Sequence, residues 1–166
     1  MDASYVRGLL ERYAHLPRFP DGRVDFTRAD SAPVLSCLVR YGDEFLLLKR
    51  SPDMYLAGKW CPVMGFLDEP VSVRDKVLEE LEEELGLDGD AIRRVSFGEP
   101  FEARDDDAGK VWRIHPVLVD LKGKVSIRLD REHSAVRWVP RGDFRGLETM
   151  ARFEKVVSRL EPSLDE

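Results

Sequence analysis

Five of the six residues from Glu79 to Glu84 are glutamate, inside the stretch GFLDEPVSVRDKVLEELEEELGL that runs from Gly65 to Leu87. Carboxylates at this density can hold a hard cation, exchange protons, or simply sit in water. Like charges one helical turn apart repel and weaken a helix. A bound divalent cation would turn that repulsion into a ligand set, because Mg²⁺ and Mn²⁺ prefer oxygen donors.

Laid on a helix at about 100° per residue, the stretch sorts its own side chains. Val77, Leu78, Leu81 and Leu85 form one apolar stripe. Glu80 and Glu84 lie one turn apart beside that stripe, with Glu83 next to them and further round. Glu79 and Glu82 point to the polar back of the helix and are expected in water. Partly buried carboxylates of one sign must pair, protonate or bind a cation. Lys76, one turn before Glu80, can pair with one of the three and cannot neutralise them all. The plain alternative is a solvated acidic face that binds nothing.

Local signals supply the elements that would position these groups. Ser72 with Asp75 makes a capping-box-like start, the helix is expected to run to about Leu85, and Gly86 is a ready stop. Ahead of it, residues 34–39 and 44–49 read as strands joined at Tyr41-Gly42-Asp43. Residues 51–59 read as a loop and 59–66 as an extended segment. Further strands are expected at 93–103, 111–121, 124–129 and 135–139, with turns at Asp105-Asp106-Asp107-Ala108-Gly109 and Lys122-Gly123-Lys124. Helices are expected at 3–15, 140–146 and 148–160. Residues 17–31 read as a loop in which 24–26 could pair briefly. Strands with interspersed, not strictly alternating, helices predict an α/β chain of the α+β kind, a mixed sheet covered by helices.

The whole chain sets bounds. Its 166 residues, 43% hydrophobic and 35% charged, suit one soluble globular unit. A net charge of -6 argues against coating a large nucleic acid but permits a small phosphorylated substrate. Cys37 and Cys61 form neither a disulfide framework nor a zinc pattern and read as reduced core thiols. The N-terminus lacks a signal-peptide pattern and no apolar run approaches a membrane span, so a cytoplasmic protein without a membrane partner is expected.

Gly65 and Gly86 bracket the acidic stretch at the spacing of the Nudix box, G-x5-E-x7-R-E-U-x-E-E-x-G-U, where U is aliphatic. Glu80, Leu81, Glu83, Glu84, Gly86 and Leu87 fall on pattern positions without a gap. Gly58-Lys59-Trp60 and Pro62 look like the usual lead-in, and Glu132-His133 with Trp138-Val139 looks like a segment late in the domain. Over roughly residues 33–160 the chain resembles the Nudix hydrolases. Two positions depart: Val71 stands where the first Glu is expected, and Glu79 where the Arg is expected. In the family that Glu and Arg support the loop–helix architecture, so the departures bear on affinity and rate, and Asp68 or Glu69 could supply the carboxylate.

The resemblance implies a Nudix-like α/β/α sandwich with a central mixed sheet over 33–166; the helix and loop over 1–32 lie outside the resemblance and are expected as a lid or homodimer contact. It implies Mg²⁺- or Mn²⁺-dependent hydrolysis of a nucleoside diphosphate linked to another group, in the nucleotide-sugar, ADP-ribose or nucleoside triphosphate class. Glu80 and Glu84 would be metal ligands, Glu83 a direct or water-mediated one, and the Met64 carbonyl would complete the set. A further Glu outside the box often binds metal or acts as base. Here Glu102, an Asp from 105 to 107, and Glu132 are candidates, and Glu132 has the better local resemblance.

Arg50, at the end of a strand, is a candidate for the substrate phosphates. Trp112 and Arg113 follow an acidic turn and are candidates for substrate binding. Trp112 could stack on a base, although core packing is its plainer role. His15, His115 and His133 are too scattered to argue a metal cluster. Val71 and Glu79 motivate a rival reading from another class: a Nudix-fold nucleotide-binding or regulatory module with weak or no hydrolysis.

Overall fold

The computed structural model describes residues 1–165. Among them, eight strands form one mixed sheet with helices on both faces. The long strands β1 (Ser31–Tyr41) and β7 (Lys110–Leu121) lie parallel at its centre, and the other pairings are antiparallel. The free edge of β1 is shared. Residues 39–41 pair with β2 (Glu44–Arg50) across the Tyr41-Gly42-Asp43 hairpin, and residues 34–37 pair with β4 (Val63–Phe66). β3 (Trp60–Cys61) and β8 (His133–Pro140) extend the sheet from β2. β5 (Ile92–Phe97) and β6 (Phe101–Asp105) share the other edge of β7.

Side-chain alternation gives each face its core. Leu35, Cys37, Val39, Val117 and Val119 point to the face covered by α1 (Ala3–Glu11) and α2 (Val73–Leu85). There Val77, Leu81 and Leu85 are fully buried, each contributing about 1.5–3 kcal/mol by leaving water. Leu38, Ile114 and Leu118 point to the opposite face, where α3 (Phe153–Leu164) packs through Phe153, Val156, Val157 and Leu160. The result is the expected α/β/α sandwich. No helix among the described residues is long and apolar enough to cross a membrane. Cys37 and Cys61 are free and buried.

Two expected strands differ. The run 93–103 is two strands, β5 and β6, broken at Gly98-Glu99-Pro100. The Gly98 N–H bonds to Pro116 O at 2.9 Å, and a Cβ on Gly98 would stand 2.6 Å from Arg159 O. Residues 124–129 make no strand. They lie extended along α2, with Arg128 N donating to Leu85 O and Asp130 N to Glu84 O. Val125, Ile127 and Leu129 pack on the core from there. The expected helix at 3–15 ends at Glu11, and the one at 148–160 begins at Phe153.

Candidate active site

The site is built where α2 crosses β4. Ser72 caps the helix by accepting from Asp75 N at 3.0 Å, and Gly86, at φ 64°, ends it in a left-handed turn that a glycine adopts without strain. The capped helix lays Glu80 directly over Gly65. A Cβ on residue 65 would stand 2.1 Å from Glu80 Oε1, so the carboxylate rests on strand backbone that only glycine leaves open.

Glu80 and Glu84, one turn apart, are 9% and 6% exposed. Burial pushes the Glu80 carboxyl up to about 7, with Glu83, Glu79 and Asp68 adding to the rise and Lys76 opposing it. Burial also drives Glu84 up to about 9, reinforced by Glu80, Asp130 and Glu132 and opposed by Arg50. Glu84 Oε2 accepts no hydrogen bond among the described residues; His133 Nε2 lies 3.9 Å from it. Glu83 stands exposed beside the pair, as does Glu82 on the back of the helix.

The strand junction opposite supplies the rest. Arg50, the last residue of β2, pairs with His133 of β8 and holds Tyr55 O through Nε at 2.5 Å. Its guanidinium is close enough to lower the Glu84 carboxyl. Glu132 is fixed by its backbone, accepting from Ser51 N at 2.8 Å and donating to Asp130 Oδ1 at 3.1 Å. The buried His133 ring meets Asp130 Oδ1 through Nδ1 at 2.9 Å. The sequence places Glu132-His133 late in the domain but does not single out Asp130, the partner of His133. The available signal was their i,i+3 spacing just ahead of a strand. Burial raises the Cys61 thiol to about 12, so it stays protonated beside this junction.

Glu79 is a correction to the sequence reading. It does not sit in water but is clamped between Lys76, whose Nζ lies 3.2 Å from its Oε2, and Arg23, which donates to its Oε1. Lys76 is 2% exposed and also meets Asp68 at 3.1 Å, Glu69 at 3.5 Å and Glu80 at 3.7 Å. Burial by itself would lower its ammonium; Asp68, Glu80 and Glu79 outweigh that and hold it up.

Trp112 and Arg113 are not brought to the acid pair together, because adjacent residues of β7 face opposite sides. Trp112 donates to the buried Asp105 at 3.1 Å, a carboxylate that also accepts from Tyr55 OH at 3.1 Å. Arg113 meets Glu102 at 3.4 Å and lines a cavity of about 400 Å³ with Arg12, Tyr13, His15 and Arg28; none of the box glutamates lines it.

Among the described residues, no three His, Cys, Asp or Glu side chains stand grouped as a ready cation cage. The donors themselves fit a hard divalent ion: two buried carboxylates on one helical face, one oxygen of which lacks a hydrogen bond.

The NUDIX domain matches residues 30–160. The chain belongs to the Nudix family. Hydrolysis of pyrophosphate linkages, the reaction class of Nudix hydrolases, is therefore its own reaction class. Three solved structures illustrate the shared Nudix fold. An Ap4A hydrolase of C. elegans superposes with a TM-score of 0.65 at 18% identity, over 81% of this chain and 98% of that one. A MutT NUDIX hydrolase from Burkholderia pseudomallei gives 0.65 at 20% identity, over 78% and 98%. A bifunctional NMN adenylyltransferase/ADP ribose pyrophosphatase from Francisella tularensis gives 0.66 at 17% identity, over 97% of this chain and 46% of that one. Among curated proteins, none matches this sequence.

Proposed function

We propose that this Nudix chain hydrolyses, with Mg²⁺ or Mn²⁺, the pyrophosphate link of a nucleoside diphosphate joined to another group. The observation that carries the proposal is the buried Glu84 Oε2 without a hydrogen bond, one turn from a Glu80 carboxylate laid on Gly65. Two carboxylates whose burial resists ionisation favour a cation over bulk water as their partner.

In this reading Glu80 and Glu84 hold the cation, Glu83 adds a ligand directly or through water, and the Met64 carbonyl is the backbone donor. When bound, the metal would supply charge neutralisation at the phosphate oxygens and acidify a water. Arg50 would orient the anionic substrate, since it is the guanidinium beside Glu84. Glu132 would be the base, fixed by the Ser51 and Asp130 bonds. His133, held by Asp130, would keep the Glu84 carboxylate in place. The Ap4A hydrolase and ADP ribose pyrophosphatase among the similar structures support a dinucleoside polyphosphate, nucleotide-sugar or ADP-ribose type of substrate.

The test is product release from a panel of such nucleotides with Mg²⁺ and Mn²⁺. Glu84→Gln is expected to cut turnover by orders of magnitude while the protein stays folded. Undiminished turnover in that variant would overturn the assignment. Saturable nucleotide binding without product at saturating Mg²⁺ would instead mark a binding module.

A further inference from the structure

Val71 and Glu79 replace the box's Glu–Arg pair with an apolar residue and a second acid, yet loop and helix remain joined. The joint is made by other residues. Arg23, from the segment before β1, donates to Glu79 Oε1 and lies 3.4 Å from Glu69 Oε1. Lys76 reaches Asp68, Glu69 and Glu79 within 3.5 Å, and Glu80 at 3.7 Å. Two cations therefore stand among four carboxylates, with the signs at helix position 79 and its loop partner inverted relative to the box.

The arrangement is more than a surface pair. Exposed ion pairs contribute little to stability, but Lys76 and Glu80 are both buried here. Arg23 also arrives on fixed backbone. Val24 N donates to Asp68 O at 2.9 Å, Val24 is buried, and Phe26 stacks on Phe66 of β4 with ring centres 5.7 Å apart. Without Arg23, Lys76 alone would face all four acids. With Arg23 sharing Glu79 and Glu69, the shortest contact of Lys76 is to Asp68 at 3.1 Å and its longest is the one to Glu80. The Glu80 oxygens then remain open to a cation.

We propose that Arg23 is a positioning residue of the active site: with Lys76 it replaces the box arginine from outside the box, so that residues before β1 complete the metal site. This inference rests on the metal reading above. Arg23 would touch neither metal nor substrate; it acts through Glu79 and Glu69 on the loop that carries Gly65 against Glu80.

A charge swap tests it. Mn²⁺ affinity of the folded, substrate-free protein is measured by electron paramagnetic resonance for the wild type, Arg23→Glu, Glu79→Arg and the double variant. Hydrogen exchange of the Leu67 amide, which bonds to Pro33 O at 3.0 Å, reports on the loop independently of metal. Each single variant is expected to weaken Mn²⁺ binding on the order of tenfold, as losing the support of a ligand does, and to speed Leu67 exchange. The double variant, with its pair restored in opposite sense, is expected to recover both. Wild-type affinity in folded Arg23→Glu would overturn the inference and leave the metal reading standing, as would a double variant no better than the singles. A wild type that takes up no Mn²⁺ would remove the metal reading, and this inference with it.

Discussion

A buried ammonium is stable only where negative charge offsets its lost hydration, and Lys76 meets that condition with four carboxylates at 3.1–3.7 Å. The dependence runs both ways, because Asp68 and Glu80 are themselves buried. Replacing Lys76 by methionine keeps the apolar stem and removes the charge. Removing one partner of a buried pair costs about 3–5 kcal/mol, because the other charge is left uncompensated. Lys76→Met is therefore expected to lower the melting temperature of the metal-free protein, and more at pH 8, where Glu80 is ionised, than at pH 5, where its carboxyl, raised to about 7, is already protonated and loses no ion pair. Thermal unfolding at the two pH values checks this; an equal drop at both would contradict it. The sequence allowed Lys76 one glutamate partner. It could not reveal Arg23, because helical spacing orders side chains within one element and carries no information on a residue 56 positions away. The same limit hid the His133–Asp130 support of Glu84: the Glu132-His133 segment is legible in the sequence, but its pairing with Asp130 beside the acid pair is not.

At the scale of elements, the acidic helix was the most legible part, because its cap, apolar stripe and glycine stop are all local signals. Glu80 and Glu84 fell beside the stripe in projection and lie buried there in the fold. The extended segment at 124–129 was misread for a physical reason. Val125, Ile127 and Leu129 alternate inward as in a strand, but the backbone N–H groups of Arg128 and Asp130 donate to the C-terminal carbonyls of α2. Period-two burial identifies an extended chain, not its hydrogen-bond partner. The split at Gly98 follows from packing on α3, which no local pattern encodes. The crossing of β4 and α2 gives a sharp prediction. Gly65→Ala puts a methyl where Glu80 Oε1 stands, 2.1 Å away. Because the clash is with a carboxylate and not with backbone, the helix can stay folded while the Glu80 side chain swings off the strand. Metal-dependent turnover should fall far more than stability, with Mn²⁺ affinity lost in parallel. Calorimetric Mn²⁺ titration beside a melting curve measures both. Retained affinity would mean that Glu80 does not need its seat on Gly65.

For the whole molecule, buried titratable groups set how stability responds to pH and to metal. Glu80 and Glu84 have folded values of about 7 and about 9, both above the ordinary 4.5 of the unfolded chain. Their neutral forms are the ones the fold favours, so their contribution is complete below pH 4.5 and is lost as pH rises through 7 and then 9. His115, buried against α1 with Tyr5 OH at 2.9 Å from its Nε2, is lowered to about 4 from 6.5 by burial. Its contribution has the opposite sign: it is complete above pH 6.5 and is lost as pH falls toward 4. As pH rises above 6.5 His115 becomes neutral whether the chain is folded or not, so of these three groups the two carboxylates dominate from there to pH 9. In EDTA the melting temperature should therefore fall from pH 6.5 to 9, at a rate corresponding to on the order of 1 kcal/mol per pH unit for each proton released. Saturating Mg²⁺ or Mn²⁺ binds the ionised carboxylates of the folded state only, and stabilises it more as protons cease to compete. The metal-loaded curve should be flat or rising over the same range, so the two curves should diverge with pH. Glu84→Gln carries no proton to lose; its EDTA curve should be shallower above pH 7, and the divergence caused by metal should collapse. Parallel curves with and without metal in the wild type would mean that the cation does not meet these carboxylates.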